Sequence, residues 1–342
     1  MNGVQTRLGT VVALWFGGLA LLLVSIGFAI TIGPSGLGMT DVGSSVRAEL
    51  FGGDSGLSRL EESIIWKLRL PQSVLAAACG AGLAVCGGVL QSLLRNPLAD
   101  PFVLGVSSGA SVGAVSVILL GFGAGVIGMA GGAFVGALAA FALVLLLARL
   151  AGDTTDRVVL AGIAATQLFS ALTSFIVYTS ADAEQTRGVL FWLLGSLSSP
   201  SWTEVAVCGI VTVAGLVICL LSSGALDAFA FGNDAAASLG INVARTRLLL
   251  LSVTALITAV VVSVSGAIGF VGLVLPHAAR AIVGVRHRVM LPTLAIIGAL
   301  FLVWADVAGR VLIAPRELPI GVITAIVGVP AFVVVLIRQG RR

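Results

Sequence analysis

The sequence predicts an all-α polytopic membrane protein of about ten transmembrane helices, on three observations. Hydrophobic residues make up 58% of the chain and charged residues only 10%, with a mean hydropathy of +1.14. Soluble domains carry about 25% charged residues. Apolar runs of about 20 residues recur from one end to the other, the length a helix needs to cross the hydrocarbon layer. Those runs do not alternate in period two, so a β-barrel is excluded. Residues 1–342 read as one transmembrane domain.

The first run covers residues 11–32 behind Arg7. It is too long for a signal peptide and lacks a small-x-small cleavage site, so it is kept as span 1. A Gly- and Ser-rich segment over 33–67 follows, with five acids. Span 2 opens at Leu68-Arg69-Leu70-Pro71 and runs to about residue 94. Arg95-Asn96-Pro97-Leu98-Ala99-Asp100-Pro101 is a hard break, because proline is not tolerated inside a helix. Asn96 and Asp100 each read as an N-cap followed by Pro at the first helical position. Spans 3 and 4 cover 102–120 and 125–150, a polar turn takes 152–156, and span 5 takes 157–179. Residues 182–197 are weakly apolar and predict a short helix that does not cross. Spans 6 to 10 cover 203–222, 248–264, 268–285 (with Pro276 inside), 290–309 and 318–337.

Arginine placement orients this arrangement. With the N-terminus inside, the inner ends hold Arg7, Arg95, Arg149, Arg157, Arg245, Arg247, Arg286, Arg288, Arg338, Arg341 and Arg342. The outer loops hold Arg187, Arg310 and Arg316, besides a first outer segment whose basic residues are offset by its acids. Both termini are therefore expected in the cytoplasm of a bacterium's inner or plasma membrane. Among 19 basic residues the single lysine is Lys67, in SIIWKL, so no Gly-rich phosphate loop ending in Lys exists. If ATP drives this protein, another subunit hydrolyses it. A net charge of +4 spread over span ends is not a nucleic-acid footprint. Cys79, Cys86, Cys208 and Cys219 lie in apolar runs and read as small core residues. Gly105-x3-Gly109-x3-Gly113 and Gly128-x3-Gly132-x3-Gly136 form two flat ridges, best read as packing seams within the chain.

One stretch does not belong in lipid. Residues 225–247, ALDAFAFGNDAAASLGINVARTR, carry Asp227, Asn233, Asp234, Ser238, Asn242, Arg245 and Arg247 between two spans. Asn233 can cap a short helix over 234–239, Gly240 supplies a left-handed stop, and Asn242 can cap a second start. Such a helix–Gly–helix knuckle predicts a docking surface for a soluble partner; the plainer alternative is an amphipathic piece lying on headgroups. Elsewhere the chemistry is sparse. His277 and His287 stand apart with no carboxylate cluster and make no metal site. Asp306 and Arg310 can pair four apart on one helix face, and Glu317 can cap span 10. No Ser-His-Asp arrangement or paired acids argue for an intramembrane enzyme, and a secondary transporter would need buried acids at mid-membrane.

Several motifs are long enough to carry a resemblance. Arg69-Leu70-Pro71, Arg95 through Pro101, Leu104-Gly105-Val106-Ser107-Ser108-Gly109-Ala110, the run GAIGFVGLVLPH at 266–277, and Glu317-Leu318-Pro319-Ile320-Gly321-Val322 resemble, in order, the FecCD permease family. These are membrane subunits of type II ABC importers for ferric siderophores, haem and cobalamin. The resemblance implies ten helices per protomer and two protomers, here expected to be identical, around a central pathway. It also implies two cytoplasmic ATPases, which bind ATP and Mg, and an extracytoplasmic binding protein; no cofactor belongs to this chain. By the resemblance, residues 226–247 are the coupling segment, with Asp227, Asn233, Asp234, Ser238, Leu239, Gly240, Ile241 and Arg245 facing the ATPase. Asn96 and Leu98, with Thr155 and Asp156, fall at the cytoplasmic gate, where an acid at 156 replaces a smaller hydroxyl residue. Arg69 and Arg310 match arginines that grip the binding protein, while Gln72 stands where a third arginine is usual. Spans 5 and 10 and the 182–197 helix would line the pathway. Ferric siderophore leads as cargo on family frequency, with haem and cobalamin behind it.

Overall fold

The computed structural model describes residues 8–33, 36–122, 128–152, 154–180, 182–314 and 316–340. Arg7, Arg341 and Arg342, which help to orient the chain in the sequence, lie outside the described residues, as does the predicted start of span 4 at 125–127. The described residues are helical, with no strand among them. In order they form α1 (Leu8–Thr31), α2 (Met39–Phe51), α3 (Arg59–Ser63) and α4 (Leu70–Leu93). There follow α5 (Val106–Leu120), α6 (Gly128–Ala151), α7 (Thr155–Ser180), α8 (Ala183–Leu193) and α9 (Trp202–Leu221). The chain closes with α10 (Ser223–Phe229), α11 (Asn233–Ser238), α12 (Val243–Ser265), α13 (Val271–Val283), α14 (His287–Val311) and α15 (Ile320–Gly340). Eight of these runs are long and apolar enough to cross a membrane, and α5 and α13 are shorter apolar helices. Together they account for the ten predicted spans.

α4 is the hub, since it packs against α9, α12, α13 and α14 and is buried along most of its length. Its closest approaches need glycine: a Cβ at Gly80 would meet the Gly298 carbonyl of α14, and one at Gly87 the Gly272 carbonyl of α13. α1 lies outermost and is tied to α14 by indole hydrogen bonds, Trp15 Nε1 to Thr293 Oγ1 (3.0 Å) and Trp304 Nε1 to Ser25 Oγ (3.2 Å). All four cysteines are free and buried, as small core residues. The two glycine ridges pack on each other: a Cβ at Gly113 would run into the Gly132 carbonyl, and one at Gly136 into that of Gly109. Gly105 and Gly128 do not join this seam. Both have positive φ, +70° and +60°, and stand at helix starts.

Four expectations about boundaries change. Arg69-Leu70-Pro71 does not open a helix. One helical run extends from Arg59 to Leu93, and its turn over Ile64–Arg69 widens to π geometry. Pro71 has no N–H and crowds the carbonyl four residues back, and a widened turn just ahead of it relieves both demands. Span 3 is interrupted: Pro101–Leu104 make a 3-10 turn capped by Asp100, and Gly105 reorients the chain before α5 begins. Thr155 and Asp156 are the first residues of α7, not part of a preceding turn. Glu317 does not cap α15; it accepts from Ser198 Oγ at 2.6 Å. The first-turn N–H groups of Ile320 and Gly321 instead donate to the Gly195 and Leu194 carbonyls at the end of α8, each at 3.0 Å. Orphan donors of one helix thus satisfy orphan acceptors of another.

Candidate functional site

The knuckle is ordered by its own chemistry. α10 and α11 are seated by Leu226, Phe229 and Ala236, all buried. α11 ends in a left-handed Gly240 (φ +81°), with Ile241 N donating to Ala236 O (3.1 Å) and Gly240 N to Ala237 O (2.9 Å). Asn242 Oδ1 then caps α12 through Arg245 N at 3.1 Å, as its position predicts. Asn233 does not cap α11. The helix begins at Asn233 behind Gly232, and the Asn233 side chain accepts from Arg247 Nη2 at 3.0 Å, pinning α11 to the second turn of α12. Asp234, Ser238, Gly240 and Arg245 remain exposed, Ile241 is half-buried, and the apolar Phe231 (83% exposed) and Leu239 (71%) point away from the bundle.

Asp227 turns toward the start of α14, with its side chain still partly exposed. Its Oδ1 accepts from the main-chain N–H of His287 (3.0 Å) and from His287 Nδ1 (2.6 Å). With a carboxylate holding the proton on Nδ1, Nε2 accepts from Ser92 Oγ at 2.6 Å. The fold therefore assembles a Ser92–His287–Asp227 chain that the sequence does not display. Residues near 92, 227 and 287 carry no local signal of one another. The chain ties α4, α10 and α14 together, and His287 is buried at its centre.

The break after α4 hangs from the same place. Arg95 adopts φ +48°, and Asn96 N donates back to Gln91 O at 3.1 Å. Asn96 does not start a helix: its Oδ1 accepts from Leu98 N (2.9 Å) and its carbonyl from Ala99 N (3.0 Å), which makes a turn that presents Leu98 to the surface. α13 grips this turn through His277 Nε2 to Pro97 O (3.2 Å) and Arg280 Nη1 to Gln91 Oε1 (2.7 Å). Gln91 Nε2 also donates to Gly272 O (3.3 Å), the carbonyl that loses its helical donor because Pro276 has no N–H. Burial pushes the Asp100 carboxyl up to about 6, against the lowering effect of the Phe102 N–H bond at 2.9 Å. Exposed Asp156 sits in the first turn of α7, the favourable end for an acid.

At the opposite end of the bundle, the two arginines expected to dock a partner differ. Arg310 is buried, 5% exposed. Its Nε lies 3.1 Å from Asp306 Oδ2, the expected i,i+4 pair, while Nη1 and Nη2 donate to Ile32 O (3.2 Å) and Ala29 O (3.1 Å) at the end of α1. Gln72 Nε2 donates to the other Asp306 oxygen at 2.8 Å, so Gln72 too is committed inside the chain. Arg69 is half-buried and donates to the same Ile32 carbonyl at 3.3 Å, with surface left to offer. The described residues contain no cluster of His, Cys, Asp and Glu suited to a metal ion.

A ten-helix bundle with a structured knuckle and a proline-broken turn held beside it matches one known family along almost its whole length. Residues 21–338 fit the FecCD transport family. The chain belongs to the FecCD family. Among curated relatives, the cobalamin import system permease BtuC of Halobacterium salinarum is 43% identical over 282 residues, 82% of this chain and 75% of that one. The hemin transport system permease HmuU of Yersinia pestis is 38% identical over 280 residues, 80% of this chain and 84% of that one. A metal-chelate type ABC transporter solved in an inward-facing conformation superposes with a TM-score of 0.81 at 30% identity, covering 95% of this chain and 99% of that one. The FecCD chain is thus a multi-span permease of a type II ABC importer for metal chelates, haem or cobalamin. It is not an enzyme, and the ATPase is a separate subunit.

Proposed function

We propose that this permease, as a homodimer in the inner or plasma membrane with both termini cytoplasmic, moves a large iron chelate inward. Energy comes from two ATPases that bind ATP and Mg beneath the 226–247 knuckle. A ferric siderophore is the first cargo to test. Haem and cobalamin are the alternatives, each favoured by a close relative that is named for it. The observation that carries the reading is the knuckle itself: a helix–Gly–helix unit, capped at its second helix, that leaves Leu239 and Phe231 exposed. Exposed apolar side chains on an ordered protrusion mark a protein-binding surface.

In this reading Asp234, Ser238, Leu239, Gly240, Ile241 and Arg245 meet the ATPase, while Asp227 and Asn233 hold the knuckle to the bundle. Asn96, Leu98, Thr155 and Asp156 form the gate. Closure of the ATPases draws two knuckles together and opens the pathway outward; hydrolysis resets it. The binding protein docks on the Arg69 surface, with Arg310 and Gln72 supporting that surface from beneath. The test is uptake of labelled ferric siderophore, haem and cobalamin into cells with and without the gene, repeated with the ATPase inactivated. Loss of one cargo in both backgrounds names it. Uptake that survives loss of the ATPase would overturn the scheme in favour of ion-coupled transport.

A further inference from the structure

A cleft of about 570 Å³ opens beside the knuckle, and its walls carry Arg95, Arg280 and Arg286. The carboxylate that lines it, Asp227, accepts from a neutral imidazole and so offsets one of these three charges, which leaves the cleft net cationic. No ion pair joins any of the three arginines to a carboxylate among the described residues; Arg280 meets only the neutral Gln91 amide. Arg286 also stands at the N-terminus of α14, a 25-residue helix whose dipole adds positive potential there. Asp227, Ala230 and Phe231 of the knuckle form one side of the cleft. A protein seated on exposed Phe231 and α11 therefore covers its mouth.

In open water three neighbouring guanidiniums are tolerable, because solvent screens them. Covered with no counter-charge beyond Asp227, they would lose hydration and repel one another, at a cost that opposes docking. Cover and complement must come together. We infer that the ATPase subunit fills this cleft with acidic side chains, at least one carboxylate being held between Arg280 and Arg286. The planar guanidinium fork suits a carboxylate bidentately. The inference rests on the reading that the knuckle docks an ATPase, and it adds a second, electrostatic contact to the apolar one.

The test is the affinity of purified permease for its ATPase subunit, titrated from about 50 to 500 mM salt. Arg286→Gln and the double variant Arg280→Gln/Arg286→Gln are compared with wild type and with a control at exposed Arg187 on α8, Arg187→Gln. The double variant should bind at least about 30-fold more weakly at low salt and show a flatter salt dependence. The control should match wild type. Arg286 is exposed, so its single variant keeps the bundle intact, which a thermal unfolding scan would verify. A photocrosslinker at Val285, on the cleft wall, should label an acidic segment of the ATPase. Wild-type affinity and salt slope in both variants would overturn the inference. So would phospholipid that copurifies with wild type and is lost from the double variant while ATPase affinity holds, since the cleft would then be a headgroup site. If wild-type permease binds no ATPase at all, the docking reading itself fails.

Discussion

At the scale of single residues, the polar groups of this chain divide into those used up inside it and those left over. Arg310 is used up: it neutralises Asp306 and terminates α1 through two carbonyls. Arg310→Met should lower stability by about 3–5 kcal/mol, since it strands a buried carboxylate. Arg310→Met/Asp306→Asn should recover most of that loss in thermal unfolding of the detergent-solubilised protein. Equal losses in the single and double variants would mean that the α1 carbonyl contacts dominate. Asp100 makes a pH-dependent case. Its folded-state value near 6 lies above the ordinary carboxyl value of about 4. Its contribution to stability is therefore fully present below pH ~4 and lost as pH rises through about 6. Asp100→Asn keeps the cap acceptor and removes the charge. The variant should match wild type at about pH 4 and exceed it by about 1–3 kcal/mol at pH 8, read from unfolding at the two pH values.

At the scale of elements, two contacts hold helices to one another. The α5–α6 seam is built on Gly109, Gly113, Gly132 and Gly136, where backbone meets backbone. Gly113→Val should force the helices apart and leave little folded protein by size-exclusion chromatography. Gly17→Ala on α1, with open space around its Cβ position, should be neutral. The Asp227–His287–Ser92 chain links the knuckle to the end of α4, four residues before Asn96. His287→Ala should cost about 2–3 kcal/mol of stability by removing two imidazole hydrogen bonds, one of them to a carboxylate, although Asp227 keeps the main-chain N–H of residue 287 and Ser92 keeps the Gly88 carbonyl. It should also lower cargo moved per ATP hydrolysed in reconstituted vesicles, and a transport-to-hydrolysis ratio equal to wild type would show that the link carries no motion. The ridges were legible as a repeat of small residues, whereas this chain was not. Its members come from three elements, and only packing around α4 brings them within hydrogen-bond reach.

At the scale of the whole molecule, a permease without a phosphate-binding lysine depends on its partners for energy. Purified alone, it should hydrolyse no ATP above background. With its ATPase in vesicles, hydrolysis should appear and rise further when the binding protein is loaded. Hydrolysis by the isolated permease would contradict the assignment. α4 and α12 are largely buried, whereas α7, α9 and α15 leave most of their surface apolar and open, as an element facing lipid or a second protomer must.

The sequence by itself determined that the chain spans the membrane, about how often, which stretch is too polar for a span, and that ATP chemistry lies elsewhere. These follow from run length, charge placement and residue inventory, which need no knowledge of neighbours. It also supplied the local devices whose geometry is set within a few residues: the Gly240 stop, the Asn242 and Asp100 caps, and the Asp306–Arg310 pair. Only the tertiary structure decided what each exposed-looking polar group does. Asn96, Asn233 and Glu317 all resemble helix caps, yet one makes a turn, one holds Arg247 and one holds Ser198. Arg310 resembles a surface arginine, yet it closes the end of α1. In a bundle with so few polar side chains, each buried one must find a partner wherever packing places it. That partner is set by distance in space, which spacing along the chain does not encode.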